Sequence, residues 1–156
     1  MADVREAVHR DPEWRDRADF IIATRIDPGN TDVSTEQLWA RRIDDGRHEL
    51  CCIPFFAYDL ALGDVVEVDA DHLVTRVVEP SGRYVFRVHF SRPDQPTAEV
   101  IAELTGMGAL VEWSSPSLVA VDARDQEHAQ QVADVLQARE DRDELVYETG
   151  RQKGAQ

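Results

Sequence analysis

Cys51 and Cys52 are the only thiols in the chain, and their adjacency poses two chemistries, a vicinal redox disulfide or plain packing. In a strand, neighbouring side chains point to opposite faces, so one thiol is expected in the core and the other exposed or packed on the second face. Such a pair is bridged only by distorting the backbone. The five histidines, His9, His48, His72, His89 and His128, are scattered. None belongs to an HExxH, His-x-His or His-x-Glu…Cys-x-x-Cys pattern, so spacing supplies no metal ligand set. His48, His72 and His89 fall in expected strands, and His89, between Val88 and Phe90, reads as a sheet-surface residue rather than a base. Ser114, Ser115 and Ser117 flank Pro116 in a hairpin, not a G-x-S-x-G elbow. The glycines never gather into a phosphate-cradling loop. No catalytic residue, metal site or cofactor is expected.

Two groups of residues remain as candidates for recognition. The aromatics Trp39, Phe55, Phe56 and Tyr58, beside Asp64, would line a ligand pocket with Asp64 as its polar anchor; the plainer reading is the core of a small sheet. The acidic residues Asp134, Glu140, Asp141, Asp143 and Glu144 would dock a basic partner; the plainer reading is a solvated helix end. An enzyme with an unfamiliar site would draw on Asp64, Tyr58 and His48, which would have to meet in space.

Charge narrows the partners. The 156 residues carry a formal net charge of −14, and 42% of them are apolar, a globular composition. A surface this negative repels nucleic-acid backbones and anionic lipid, so neither nucleic acid nor membrane is an expected partner. A basic protein or a small ligand is. The charged opening MADVREAVHRDPEWRDR has no secretory core, no apolar run is long enough to cross a bilayer, and two cysteines make no disulfide framework. A cytoplasmic location is the expectation.

The elements that must position these residues follow from hydrophobic spacing. Residues 1–18 are expected to form a flexible acidic arm. A strand over 20–26 leads to a turn at Asp27-Pro28-Gly29-Asn30. Residues 36–43 and 47–53 pair across Asp44-Asp45-Gly46. The apolar stretch 53–64 is expected to make a short helical turn plugging one end of the sheet. Strands at 65–68 and 73–78 complete a small bent five-stranded, barrel-like half over residues 19–80. Pro80-Ser81-Gly82 then separates it from a second half, 81–149. There Tyr84, Phe86, Val88 and Phe90 alternate with Val85, Arg87 and His89. A helix follows Pro96, two strands flank Pro116, Asp125 caps a second helix, and 145–147 is the last strand. The order β-α-β-β-α-β predicts a ferredoxin-like half. Residues 150–156 are expected to be a disordered tail. The fold class is α+β, with some core shared between the halves.

The blocks LWARRIDDGRHELCCIPFFAYDLALGDVVEVD (38–69) and VVEPSGRYVFRVHF (77–90) together resemble a bacterial family, Domain of Unknown Function 4265. The likeness lies in the order of the Leu-Trp-Ala opening, the Asp-Gly turn, the Ile-Pro-Phe-Phe-Ala stretch and the Leu-Gly-Asp-Val-Val strand, and extends over about residues 19–148. The family has no established activity, so the resemblance implies architecture and no site. The function expected from the residues is a non-catalytic binding or regulatory module for a protein or small ligand. The alternatives are an acidic immunity-type inhibitor of a basic toxin and an enzyme with an unrecognised site.

Overall fold

The computed structural model describes residues 5–27 and 32–151. Among these it shows a mixed α+β fold of ten strands in two sheets with two helices. In the first sheet, β2 (Phe20–Arg25), β3 (Thr35–Arg42), β4 (Arg47–Leu50), β5 (Val65–Val68) and β6 (Val74–Glu79) form an antiparallel series in chain order. Glu36, Leu38 and Ala40 alternate on the buried face of β3, the period of two that a one-sided strand requires. Two features depart from expectation. The sheet is not closed into a barrel, although a single bridge from Ala23 to Leu73 brings β2 to the start of β6. It also has a sixth strand, because β1 (Glu6–Ala7) pairs in parallel with the start of β3.

That sixth strand comes from the segment expected to be a flexible arm. Residues 5–18 instead pack onto the body of the protein. The Trp14 N–H donates to the Cys51 carbonyl at 3.0 Å, and a 3-10 turn at Arg15–Arg17 leads into β2. Gly63 takes a φ of +83°, and the Trp14 ring lies 3.2 Å from where a Cβ would sit, so a side chain there would both strain the backbone and displace the ring. Residues 1–4, most of the 27–30 turn and tail residues 152–156 lie outside the described residues. Gly150, assigned to the tail, is held at both ends: its N–H donates to Val85 and its carbonyl accepts from Asp59.

In the second sheet the order is β10 (Val146–Thr149), β7 (Tyr84–His89), β9 (Leu118–Ala123), β8 (Leu110–Ser115), with every pair antiparallel. Helices α1 (Thr97–Gly106) and α2 (Gln126–Asp141) bury Val100, Leu104, Val132 and Leu136 against Phe86, Val88, Val119 and Val121. Asp125 caps α2 by accepting from the His128 N–H at 2.8 Å. The opposite faces of β7 and β9 present Val85 and Ala120 to Ile53, Phe55 and Leu62, a cluster between the two sheets, so the halves share a core. No helix among the described residues is long and apolar enough to cross a membrane.

The helical turn expected over 53–64 does not form. Five of its backbone N–H groups are taken by carboxylates, and among the described residues none of the others closes on a carbonyl four residues back. Ile53 donates to Glu112, Phe55, Phe56 and Ala57 donate to Glu36, and Ala61 donates to Asp64. With its donors so used, the segment is an irregular strap across the junction of the sheets.

Candidate functional site

The strap is organised by a buried ion triad. Nε2 of His9 lies 2.6 Å from Glu36 on β3, and Nδ1 lies 2.8 Å from Glu112 on β8, with all three side chains at 2% exposure or less. A carboxylate only accepts, so both ring nitrogens must donate and His9 is an imidazolium. Burial opposes that charge, but Cys52 and the hydrogen bonds to Glu112 and Glu36 push the His9 pKa up to about 12. Burial likewise opposes the Glu36 carboxylate, yet His9 and the Phe55 and Phe56 amides hold it below the usual carboxylate range. The imidazole stacks on the Phe55 ring at 4.0 Å. One histidine from the amino-terminal segment thus joins both sheets and fixes the strap. Cys52 lies beside it, which raises the question of a Cys–His nucleophile. The arrangement does not favour one: both ring nitrogens are turned to carboxylates, and burial raises the pKa of the fully buried thiol although His9 opposes that rise.

Beside the triad, a cleft of about 610 Å³ opens between the sheets. The strap forms one wall through Phe55, Phe56, Ala57 and Tyr58; β2 and the residues after it, β7, β10 and Leu118 at the start of β9 form the rest. Its polar centre is Arg87. The parity of β7 that sends Phe86 and Val88 to the helices sends Val85 and Arg87 toward the first sheet. The guanidinium is 4% exposed and donates through Nη2 to the Ala57 carbonyl. Nε and Nη1 have no hydrogen-bond partner, and Nη1 lies 3.6 Å from the Glu148 carboxylate. The Tyr58 ring lies over the guanidinium at 4.8 Å, and its hydroxyl bonds both Glu148 oxygens at 3.0 and 3.1 Å. Burial lowers the Arg87 pKa, while Glu36 and Glu148 oppose that shift.

The residues singled out in the sequence separate here. Phe55 and Tyr58 line this cleft. Asp64 does not; it belongs to a second cleft of about 430 Å³, where it accepts from the Ala61 and Ser81 N–H groups and so shapes a turn. Trp39 lines neither cleft and sits under the Arg15 guanidinium. His48 is buried against Phe20 and also lines neither. Neither of these two clefts brings Asp64, Tyr58 and His48 together. His72 sits in a turn at φ +61°, not in a strand.

Most of the acidic set is engaged internally. Asp134 accepts from Gln130, Asp141 from Gln137, and Glu140 from the Tyr147 N–H. Glu144 pairs with Arg139 and Arg142, and Asp143 with Arg92.

Cys51 and Cys52 follow β4 rather than lying in it, and both are fully buried; Cys52 belongs to the core of the first sheet, and of the two alternatives expected for its neighbour, exposure is the one the structure removes. Burial, aided by Glu49, pushes the Cys51 pKa up to about 11. Neither thiol is expected to react with Ellman's reagent in the folded protein, and both should react in concentrated guanidinium chloride; rapid reaction of the folded chain would contradict this packing.

His9, Glu36, Arg87, Glu112 and Glu148 were not among the sequence candidates. The available signal was parity: Glu36 shares its face of β3 with Leu38 and Ala40, and Arg87 shares its face of β7 with Val85.

A mixed α+β fold of two sheets joined by a carboxylate-held strap defines the class of protein. The family model described as Domain of unknown function (DUF4265) matches residues 36–147, and the chain belongs to that family. The matched residues contain Glu36, Arg87 and Glu112; His9 and Glu148 fall outside them. The fold is similar to that of a hypothetical protein from Neisseria gonorrhoeae known from a crystal structure, with a TM-score of 0.72 at 18% identity, covering 84% of this chain and 93% of that one. At that identity the likeness concerns the fold alone. No curated protein matches the chain.

Proposed function

We propose that this protein is a non-catalytic binding module whose ligand site is the cleft between the two sheets. The observation that carries the reading is Arg87, a buried guanidinium whose Nε and Nη1 lack hydrogen-bond partners, in the wall of a cleft that Phe55, Phe56 and Tyr58 also line. A few polar groups set in an apolar concavity are what a small-ligand site requires. The triad supports the same reading, since it holds the strap, and with it one wall, without offering a free base or nucleophile. On this reading the second half is a ferredoxin-like scaffold, consistent with its order β10-β7-β9-β8, and the protein works in the cytoplasm.

A fragment screen monitored by amide chemical shifts tests this. Hits are expected to move residues 24–27, 55–59, 87–89 and 146–148 together. Hits that gather instead at the second cleft, around Asp64 and Arg83, would contradict the assignment.

A further inference from the structure

We infer that the ligand of the intersheet cleft is a small organic monocarboxylate with an apolar body, that its carboxylate binds the Arg87 guanidinium, and that Glu148 is its built-in competitor. This rests on the assignment of the cleft as the ligand site and adds the chemistry of what enters it.

The charge argument starts from Arg87. A guanidinium cannot shed its proton, so burial leaves it charged and in need of acceptors. The protein supplies one hydrogen bond, from Nη2 to Ala57, and leaves Nε and Nη1 without any. The nearest anion, Glu148, stands 3.6 Å from Nη1, beyond hydrogen-bond reach, and the single proton of the Tyr58 hydroxyl is shared between its two oxygens. Glu148 therefore offers charge without closing a hydrogen bond. A carboxylate arriving through the cleft would supply both, and a planar guanidinium is its preferred partner.

Access is set by the same pair. Tyr58 and the Glu148 side chain are 41% and 52% exposed, so both are rim groups able to swing, whereas Arg87 is fixed in β7. The ligand displaces Glu148 and keeps the Tyr58 ring as a lid over the cation.

The rest of the ligand follows from the walls. Ile26, Phe55, Phe56, Leu118 and Val146 line the cleft, and Val146 is 54% exposed at its edge, which suits a short aliphatic or aromatic body. Asp27, Asp59 and Glu148 also line it, against Arg25 and Arg87. A phosphate dianion would meet these carboxylates with twice the charge of a monocarboxylate.

Three probes of one carbon skeleton separate the possibilities: 3-phenylpropanoate, 3-phenylpropanamide and 3-phenylpropylamine, each titrated into the labelled full chain and followed by amide shifts. The propanoate is expected to move residues 55–58 and 146–148 and to bind about tenfold tighter than the amide, with no binding of the amine. Glu148→Gln removes the competing charge and should tighten propanoate binding by about five- to tenfold and amide binding by clearly less. Arg87→Met should abolish the preference; if that variant does not fold, the probe series and Glu148→Gln still decide. Amide or amine binding in the cleft as tightly as propanoate would overturn the carboxylate assignment and leave the cleft standing. A fragment set in which nothing moves the cleft residues would overturn both.

Discussion

Glu36→Ala is expected to destabilise the protein by about 3–5 kcal/mol, the loss typical of removing one partner from a buried ion pair. The Glu36 carboxylate is fully buried and accepts four hydrogen bonds, from His9 at 2.6 Å and from the N–H groups of Phe55, Phe56 and Ala57 at 2.7, 2.9 and 3.0 Å. Alanine would leave the imidazolium with Glu112 alone and would strand three amides away from water, each worth about 1–3 kcal/mol in desolvation if nothing replaced the acceptor. A domain of this size is stable by roughly 5–15 kcal/mol in all, so the variant should be marginal. Glu49→Ala makes the control. Glu49 pairs with Arg17 and Arg41 near the surface, and its loss should cost under about 1 kcal/mol. Urea unfolding followed by tryptophan fluorescence measures both. Equal losses for the two variants would contradict the role given to Glu36.

Stability is expected to peak near pH 6.5 and to fall on the alkaline side through His9. The His9 pKa is raised in the folded state from 6.5 to about 12, so its contribution is complete below pH 6.5 and is lost as pH rises toward the folded value. The limiting slope for one group is about 1.4 kcal/mol per pH unit. Above pH 9 the raised thiols Cys51 and Cys52 add loss of the same sign, so the interval from 6.5 to 9 isolates His9. On the acid side His48 and Glu36 act in one direction, and the burial-raised carboxyls of Glu13, Asp64 and Asp122 oppose them. Burial, with His72 nearby, lowers the His48 pKa, and neither ring nitrogen has a hydrogen-bond partner, so its contribution falls away below pH 6.5. The lowered Glu36 pKa adds a loss as pH drops below 4.5. His9→Gln is expected to flatten the interval between 6.5 and 9 while leaving the His48 limb in place. An unchanged alkaline slope in that variant would contradict the charged triad.

What the sequence made legible is whatever depends on short-range periodicity. The alternation of Tyr84, Phe86, Val88 and Phe90 marks β7, and the Asp125 cap with Ala129, Val132 and Leu136 marks α2, because period and cap are local properties. The strap is illegible for the opposite reason. Its composition is apolar enough for a helical turn, but its N–H groups answer to Glu36, 19 to 21 residues away in the chain, and to Glu112, 59 away from Ile53. His9 was hidden more deeply. It sits among charged residues that look like an arm, and its partners lie 27 and 103 residues distant. Only the folded chain brings it between two acids.

The candidate site shows the same division. Phe55 and Tyr58 were recognisable as aromatic wall, but Asp64, their expected anchor, faces another cleft. The anchor is Arg87, whose position on the inter-sheet face of β7 could have been read from parity with Val85. The triad links these facts: Glu36 grips the N–H groups of Phe55, Phe56 and Ala57, and the Ala57 carbonyl receives Arg87. The cleft is therefore shaped by a histidine that does not line it.

That claim is tested most directly by the protonation state of His9. In protein labelled with nitrogen-15 at its histidine rings and held at about pH 8, an ordinary histidine is neutral. Both ring nitrogens of His9 are predicted to carry protons, to resonate at imidazolium positions and to show hydrogen-bonded ring protons. A neutral His9 ring at that pH, with one bare nitrogen, would contradict the triad and the account of the cleft built upon it.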